Sequence, residues 1–181
     1  GFGDNLINPW DYFFYNFNKD WAITSLPAES FDTSSIITAG NYFFAGFDRN
    51  GALTSLPAES FDTSNITSAW NYFFDSFNRN WLLTSLPAES FDISSMITVG
   101  NYFFGSFNYN WALTILPISS FDTSSITTVW SYFFSYFNGE WKLTSLPAGS
   151  FRFSSSLTSV WTYFLQHFND KWAITSLPTS S

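Results

Sequence analysis

The chain has 181 residues, of which 23% are aromatic and 11% are charged, and its formal net charge is −8 at pH 7. This much aromatic material supports a folded core, and the acidic balance excludes electrostatic attraction to nucleic acid or to anionic lipid. The absence of cysteine excludes disulfides, thiolate metal sites and cysteine nucleophiles. No apolar run approaches the length that membrane insertion needs.

A unit of about 30 residues recurs six times, with copies at about 2–30, 31–60, 61–90, 91–120, 121–150 and 151–181. One unit cannot bury its own apolar face, whereas stacked units bury theirs against their neighbours. The sequence therefore predicts a single solenoid domain of six coils, over residues 1–181. Each copy carries an anchor phenylalanine, and these are Phe2, Phe31, Phe61, Phe91, Phe121 and Phe151.

One recurring piece is a W-x-L-T-S-L-P segment, such as Trp81 to Pro87. The positions of Leu83 and Leu86 are apolar in every copy. Because proline cannot donate a ladder hydrogen bond, the pattern predicts a short strand that ends at Pro87. The position before the first leucine accepts residues as different as Leu82 and Lys142, so we expect it to face water.

The next piece, S-F-D-T-S-S, has the composition of a turn, because Asp, Ser and Thr side chains bond nearby backbone groups. We interpret Asp32, Asp62, Asp92 and Asp122 as caps of this turn rather than as calcium ligands, since no copy has the ligand density of a calcium loop and Arg152 interrupts the column.

A second extended stretch follows in each copy, such as Ile126 to Val129, and then a Y-F-F-x-x-F segment. The aromatic spacing i, i+1, i+4 of Phe133, Phe134 and Phe137 predicts a short helix with these rings on one face. The expected fold class is a leucine-rich-repeat-like solenoid, each coil having a strand, a turn, an extended segment and a short helix.

Three strings carry a resemblance to a known family: Leu83-Thr84-Ser85-Leu86-Pro87, Ile97-Thr98-Val99-Gly100 and Phe103-Phe104. They resemble the BspA-like leucine-rich repeats of bacterial surface proteins. This chain departs from the family in its longer unit and in Phe107-Asn108, which stands where many members have cysteine. The resemblance implies a secreted or surface-attached microbial protein that adheres or binds surface ligands and is not an enzyme.

Two columns of equivalent positions contain both tryptophan and glycine, and the first column nearly alternates between them. Because a sealed core does not tolerate a swap of indole for hydrogen, either a ring covers the space above a neighbouring glycine or these positions lie at the surface. Surface rows of tryptophan would suit contact with sugar rings or with another protein. The candidate contact residues are Trp10, Trp21, Trp70, Trp81, Trp130, Trp141, Trp161 and Trp172, and the glycines are Gly40, Gly51 and Gly100.

A third column is polar and contains Asn18, Asn108 and Asn138, with Asp48 in the second copy. Stacked amides can bond one another and the backbone of a turn, so we predict a structural ladder here. His167 is the only histidine, and no catalytic triad, phosphate loop or metal-ligand spacing accompanies it. We therefore expect no enzyme activity, cofactor or bound metal.

Gly1-Phe2 continues the repeat in phase after Leu177 to Ser181, and no polar capping coil is evident at either end. Head-to-tail stacking of copies would cover such ends, and a contact of that kind propagates into a filament. The sequence therefore predicts a non-enzymatic structural protein, secreted or on a microbial cell surface, with itself as partner. The alternative is a surface adhesin or carbohydrate-binding module that contacts glycans or surface proteins through its Trp and Thr columns, such as Thr98 and Thr128.

Overall fold

The computed structural model describes residues 8–27, 30–31, 33–57, 62–77, 79, 82–86, 92–109, 113–116, 122–139, 143–148, 153, 155–170 and 174–175. These residues contain five strands of two residues each, which are β1 (Thr38–Ala39), β2 (Ser68–Ala69), β3 (Thr98–Val99), β4 (Thr128–Val129) and β5 (Ser159–Val160). No helix within the described ranges is long and apolar enough to cross a membrane.

The strands form one parallel sheet in the order β1-β2-β3-β4-β5. Thr38 pairs with Ser68, and Ser68 pairs with Thr98, so each strand lies one sequence repeat from its neighbour. At the last step Thr128 pairs with Ser159, because the sixth copy carries one additional serine. The chain is a repeat solenoid in which one sequence repeat makes one coil.

We call the Y-F-F-x-x-F segment of each coil, together with the residue after it, the aromatic turn (12–18 in the first coil, 132–138 in the fifth); in the sixth coil Leu165 stands in place of the second phenylalanine. We number the coils 1 to 6 by the tyrosines that begin these turns, which are Tyr12, Tyr42, Tyr72, Tyr102, Tyr132 and Tyr163.

The prediction of a short helix around Phe134 is wrong, because the aromatic turn is a succession of tight turns. Tyr132 and Asn138 have φ values of 62° and 50°, which a right-handed helix cannot contain. The N–H of Ser135 donates to the Tyr132 carbonyl at 3.1 Å, whereas the N–H of Tyr132 donates to Thr162 in the next coil at 3.2 Å. Hydrogen bonds therefore alternate between the turn itself and the neighbouring coil.

The strand predicted at Leu83 to Leu86 is not a strand, and the sheet is built instead from the second extended stretch. Leu83 and Leu86 are buried and Leu82 is exposed, as predicted. Two buried positions three residues apart do not follow the two-residue period of a strand. In β3, by contrast, Thr98 faces water and the adjacent Val99 is buried.

Three columns of phenylalanine from the aromatic turns fill the core, and in coil 3 these are Phe73, Phe74 and Phe77, all fully buried. Rings of one column lie nearly parallel, with centroids 5.6 Å apart for Phe74 and Phe104. Rings of neighbouring columns meet edge to face, as Phe73 and Phe74 do at 4.5 Å and 88°. Both arrangements are favourable for aromatic pairs, and one ring for each coil matches a strand spacing of about 4.8 Å.

Hydrogen bonds between coils have a direction that depends on the segment. In the first residues of the aromatic turn, the N–H of Tyr42 donates to the Asn71 carbonyl at 2.9 Å, toward coil 6. Beside the strands, the N–H of Thr67 donates to the Ile37 carbonyl at 2.9 Å, toward coil 1. The two ends of the solenoid are therefore different surfaces: where one end presents N–H donors, the other presents carbonyl acceptors at the equivalent positions.

Candidate functional site

A row of tryptophans runs along the outside of the solenoid, directly after the strands. Trp10 is 87% exposed, and Trp70 and Trp161 are each 54% exposed. Trp130 is also exposed and stacks on Trp161, with ring centroids 5.4 Å apart and an angle of 4° between the planes. The structure thus places all four tryptophans of the first column at the surface.

Gly40 and Gly100 interrupt this row because the backbone of the preceding coil lies too close for a side chain. A Cβ at Gly40 would stand 2.9 Å from both the Trp10 carbonyl carbon and the Asp11 nitrogen. At Gly100 it would stand 2.6 Å from the Asn71 nitrogen. The two glycines of this row therefore stand where the backbone of coil 2 approaches that of coil 1 and where the backbone of coil 4 approaches that of coil 3.

A cavity of about 460 Å³ lies over Gly40. Trp10 and Trp70 line it, together with Thr38 and Asp11. One interpretation of the sequence is that a neighbouring indole fills the space above each glycine. At Gly40 in coil 2 this interpretation does not hold, because the space above the glycine is an open cavity.

The second tryptophan column is described only in coils 1 and 2. Trp21 is exposed. Gly51 packs against Asp48 and Asn18, and a Cβ added at Gly51 would stand 2.5 Å from the Asn18 carbonyl oxygen. The remaining tryptophans of this column, Trp81, Trp111, Trp141 and Trp172, lie outside the described residues.

The predicted asparagine ladder is confirmed in the interior. Asn108 is buried, and its side-chain oxygen accepts the N–H of Leu113 at 2.9 Å. Its Nδ2 donates to the Leu113 carbonyl at 3.2 Å and to Oδ1 of Asn138 in the next coil at 3.2 Å. Each amide therefore closes its own coil and ties it to the following one.

A second asparagine ladder lies at the surface, and the sequence pattern did not predict it. The Asn71 N–H donates to Oδ1 of Asn41 at 3.1 Å, and the Asn101 N–H donates to Oδ1 of Asn71 at 2.8 Å. In coil 1 the acceptor is a carboxylate, because Asp11 Oδ1 accepts the Asn41 N–H at 2.7 Å. The recurring asparagine before Tyr-Phe-Phe was the signal that could have revealed this ladder.

Two carboxyl groups have perturbed acidity. Burial raises the pKa of Asp48 to about 6, against the opposing hydrogen bond from Asn18 Nδ2 at 2.7 Å. The other oxygen of Asp48 has no hydrogen-bond partner among the described residues. Burial also raises the pKa of Asp75 to about 6, against the Ser76 hydroxyl and the charge of Arg79. Both groups therefore titrate well above the usual range of an aspartate.

The acidic turn column has the geometry of backbone caps. Asp92 accepts the N–H of Ser94 at 2.9 Å, and Asp122 accepts the N–H of Ser124 at 2.9 Å. Asp32 of this column lies outside the described residues, and the described part of the chain contains no group of three or more His, Cys, Asp or Glu side chains that could hold a metal ion. This geometry agrees with the interpretation of these aspartates as turn caps.

His167 lies in the aromatic turn of coil 6 and pairs with Asp170 at 2.9 Å. Its ring stacks on that of Tyr136 in coil 5, with centroids 4.5 Å apart. Both members of the pair are substantially exposed, so the structure gives this histidine the surroundings of a surface residue.

The end of the solenoid at coil 6 exposes positions that interior coils bury. Leu165 is 55% exposed, whereas its counterpart in coil 5, Phe134, is buried. Val160 of β5 is exposed, whereas the equivalent Val129 of β4 is buried. Within the described residues, coil 6 therefore presents an apolar face that nothing covers.

Backbone donors accompany this apolar face. Interior coils use the equivalent N–H groups to reach the next coil, as Phe134 does by donating to Phe164 at 3.0 Å. The N–H groups of Tyr163 and Leu165 have no acceptor among the described residues. The end of coil 6 thus combines open apolar area with open hydrogen-bond donors.

No protein family, no curated protein and no solved structure matches this chain. Any statement about its function therefore depends on its own residues and geometry.

Proposed function

We propose that this chain is a non-enzymatic structural protein of the microbial cell surface, whose copies stack head-to-tail into an extracellular filament. The observation that carries the proposal is the open face of coil 6, where Leu165 and Val160 are exposed although interior coils bury the same positions. A coil stacked on this face would bury it in the way that every interior coil buries its neighbour.

The direction of the hydrogen bonds selects the partner surface. The end at coil 6 offers the N–H groups of Tyr163 and Leu165. Between interior coils, the equivalent N–H groups of one coil donate to carbonyls of the next coil, as those of coil 1 donate to the carbonyls of Asn41 and Phe43 in coil 2. By equivalence, the carbonyl of Asp11 in coil 1 faces the other end of the solenoid. When coil 6 stacks in register on coil 1, each donor meets an acceptor, both in the aromatic turn and beside the strands, as it does between neighbouring interior coils.

A contact between two different surfaces of the same chain does not close on itself. It repeats with each added copy and produces a linear assembly. The extracellular location is supported by the resemblance of the repeats to BspA-like surface proteins and by the absence of cysteine.

The test is a concentration series of the purified protein by analytical ultracentrifugation and negative-stain electron microscopy. We expect linear oligomers that lengthen with concentration, and we expect Leu165→Glu to abolish them, because it places a charge in the stacked interface. Strictly monomeric wild-type protein at high concentration would overturn the proposal.

Ile115→Glu is the matched control, because Ile115 is 68% exposed on the side of coil 4, away from both ends. This variant should assemble like the wild type. Circular dichroism of both variants checks that each is folded, and loss of assembly in both would point to general charge repulsion rather than to end-to-end contact.

A second candidate function, a glycan-binding surface or adhesin, is favoured by the exposure of Trp10, Trp70, Trp130 and Trp161 along one line. Indole faces in such a row suit stacking against sugar rings. Glycan arrays with the wild type, Trp70→Ala and Trp130→Ala test this function. Binding that is indifferent to both substitutions would count against it.

A further inference from the structure

We propose that the cavity over Gly40 binds a small organic ammonium cation, held between the indoles of Trp10 and Trp70 and beside the carboxylate of Asp11. The proposal shares with the second candidate function the premise that the tryptophan row meets a ligand, but it names a different ligand for this position. It does not depend on end-to-end stacking.

The spacing of the coils sets the width of the cavity. Trp10 and Trp70 are two coils apart, and Gly40 stands between them. Because coils repeat about every 4.8 Å, the backbone positions that carry the two indoles are about 10 Å apart. In the proposed complex the cation lies between the two indole faces, and this spacing allows it to be within about 6 Å of each, the range over which an aromatic face attracts a positive charge.

The acidic residue in the cavity lining favours a positively charged ligand. Asp11 is the acidic residue of the cavity lining, and no lysine or arginine lines it among the described residues. Asn41 holds the carboxylate in place, donating from its backbone N–H at 2.7 Å and from Nδ2 to both oxygens at 3.1 Å. The chain as a whole carries a formal net charge of −8, which adds to the attraction for a cation.

The same row contains a natural comparison. Trp70 and Trp130 flank Gly100 as Trp10 and Trp70 flank Gly40, but Asn71 occupies the position equivalent to Asp11. A neutral ligand such as a sugar would not distinguish the two positions by charge. A cation would prefer the one beside the carboxylate.

The experiment is a titration of the full chain with choline, observed through the indole N–H signals in ¹H–¹⁵N NMR spectra. We expect the signals of Trp10 and Trp70 to shift and to saturate, while that of Trp161 does not move. Trp10→Ala should weaken binding about two- to five-fold, as expected for an exposed cation–aromatic contact. Trp161→Ala is the matched control, because Trp161 is exposed to the same 54% as Trp70.

Asp11→Asn tests the charge without disturbing the ladder, since Asn41 already accepts the Asn71 N–H at 3.1 Å in the next coil. Choline affinity should fall in this variant by about two- to five-fold. Two neutral probes complete the set: 3,3-dimethylbutan-1-ol, which has the shape of choline without its charge, and methyl β-glucoside. Neither should shift the Trp10 signal appreciably.

Absence of any shift of the Trp10 and Trp70 signals with choline would overturn the proposal. Equal affinity for choline and its neutral analogue would also overturn it, because attraction of charge would then play no part. Binding of the glucoside in preference to choline would refute the cation site while supporting the glycan-binding candidate, so the two proposals fail separately.

Discussion

The inner phenylalanine columns and the outer tryptophan row are built on the same coils but obey different rules. Inside, Phe73, Phe103 and Phe133 repeat without exception, and all three are fully buried. Outside, Trp70 is followed by Gly100 and then by Trp130. A buried ring must match the rings above and below it, whereas a surface position is free to vary once the backbone allows a side chain. Positions whose residue varies from coil to coil therefore indicate which surface of the solenoid is available for a binding function.

The largest expected effect is the loss of an inner ring. Phe104→Ala removes a fully buried side chain stacked between Phe74 and Phe134. We expect the free energy of unfolding to fall by about 3–5 kcal/mol, from lost burial and from the cavity left behind. Urea denaturation followed by circular dichroism measures this change. A loss below about 1 kcal/mol would mean that the columns are not the main source of stability.

Asp48→Asn should raise the free energy of unfolding at neutral pH by up to about 3 kcal/mol. This is the free energy that corresponds to raising the pKa of a carboxyl group by about two units on folding. Asp48 has a raised pKa of about 6. The folded state therefore binds more protons than the unfolded state between about pH 4 and pH 6, and stability falls as pH rises through this window. An asparagine avoids this loss and continues the buried amide ladder.

Denaturation at several pH values between 4 and 8 measures the difference between this variant and the wild type. The difference should be smallest near pH 4, grow up to about pH 6 and then level off. Asp122→Asn, at an exposed turn cap, is the control and should change stability by less than about 0.5 kcal/mol. A difference independent of pH would show that Asp48 is not protonated in the folded protein.

Gly40→Ala should cost about 1–2 kcal/mol, because its Cβ would press on the backbone of Trp10 and Asp11 at 2.9 Å. Trp70→Ala is the comparison, because it also places an alanine at this position of the repeat, but in coil 3, where the Cβ of Trp70 already fits. It should cost less than about 0.5 kcal/mol. Thermal unfolding of the two variants compares them directly, and equal losses would contradict the close approach of coils 1 and 2.

The smallest expected effect is at the outer row itself. Trp161→Ala removes a ring that is half exposed and stacks on Trp130 at 5.4 Å. We expect a loss of about 0.5–1 kcal/mol, the usual contribution of an aromatic pair near the surface. Parallel denaturation of Trp161→Ala and Phe104→Ala gives the contrast between the two regions, and similar losses would mean that the outer row is structural.

Much of the candidate site could be anticipated from equivalent positions alone. Because the repeat is regular, alignment of the six copies puts Trp70 and Gly100 in one column, and it does the same for Asn108 and Asn138. The surface ladder through Asn41 and the cavity over Gly40 could not be anticipated, because both depend on the distance between the backbones of adjacent coils.

The local conformation of the aromatic turn was also beyond the sequence pattern. The spacing of Phe133, Phe134 and Phe137 fits a helical face, but the φ of 62° at Tyr132 breaks any helix there. That conformation is stabilised by hydrogen bonds to the neighbouring coils, such as the one from Tyr132 to Thr162 at 3.2 Å. A local preference cannot reveal a bond whose partner belongs to another repeat.

The sequence by itself determined the period, the columns and which of them are apolar, because repetition and hydrophobicity are properties of the residues alone. Only the tertiary structure decided which segment pairs as a strand, that Gly40 and Gly100 allow two backbones to approach, and that Trp10 and Trp70 stand apart over an open cavity. The reason is physical: these features are set by the distance and direction between coils, and each coil takes its conformation from the neighbours on which it stacks.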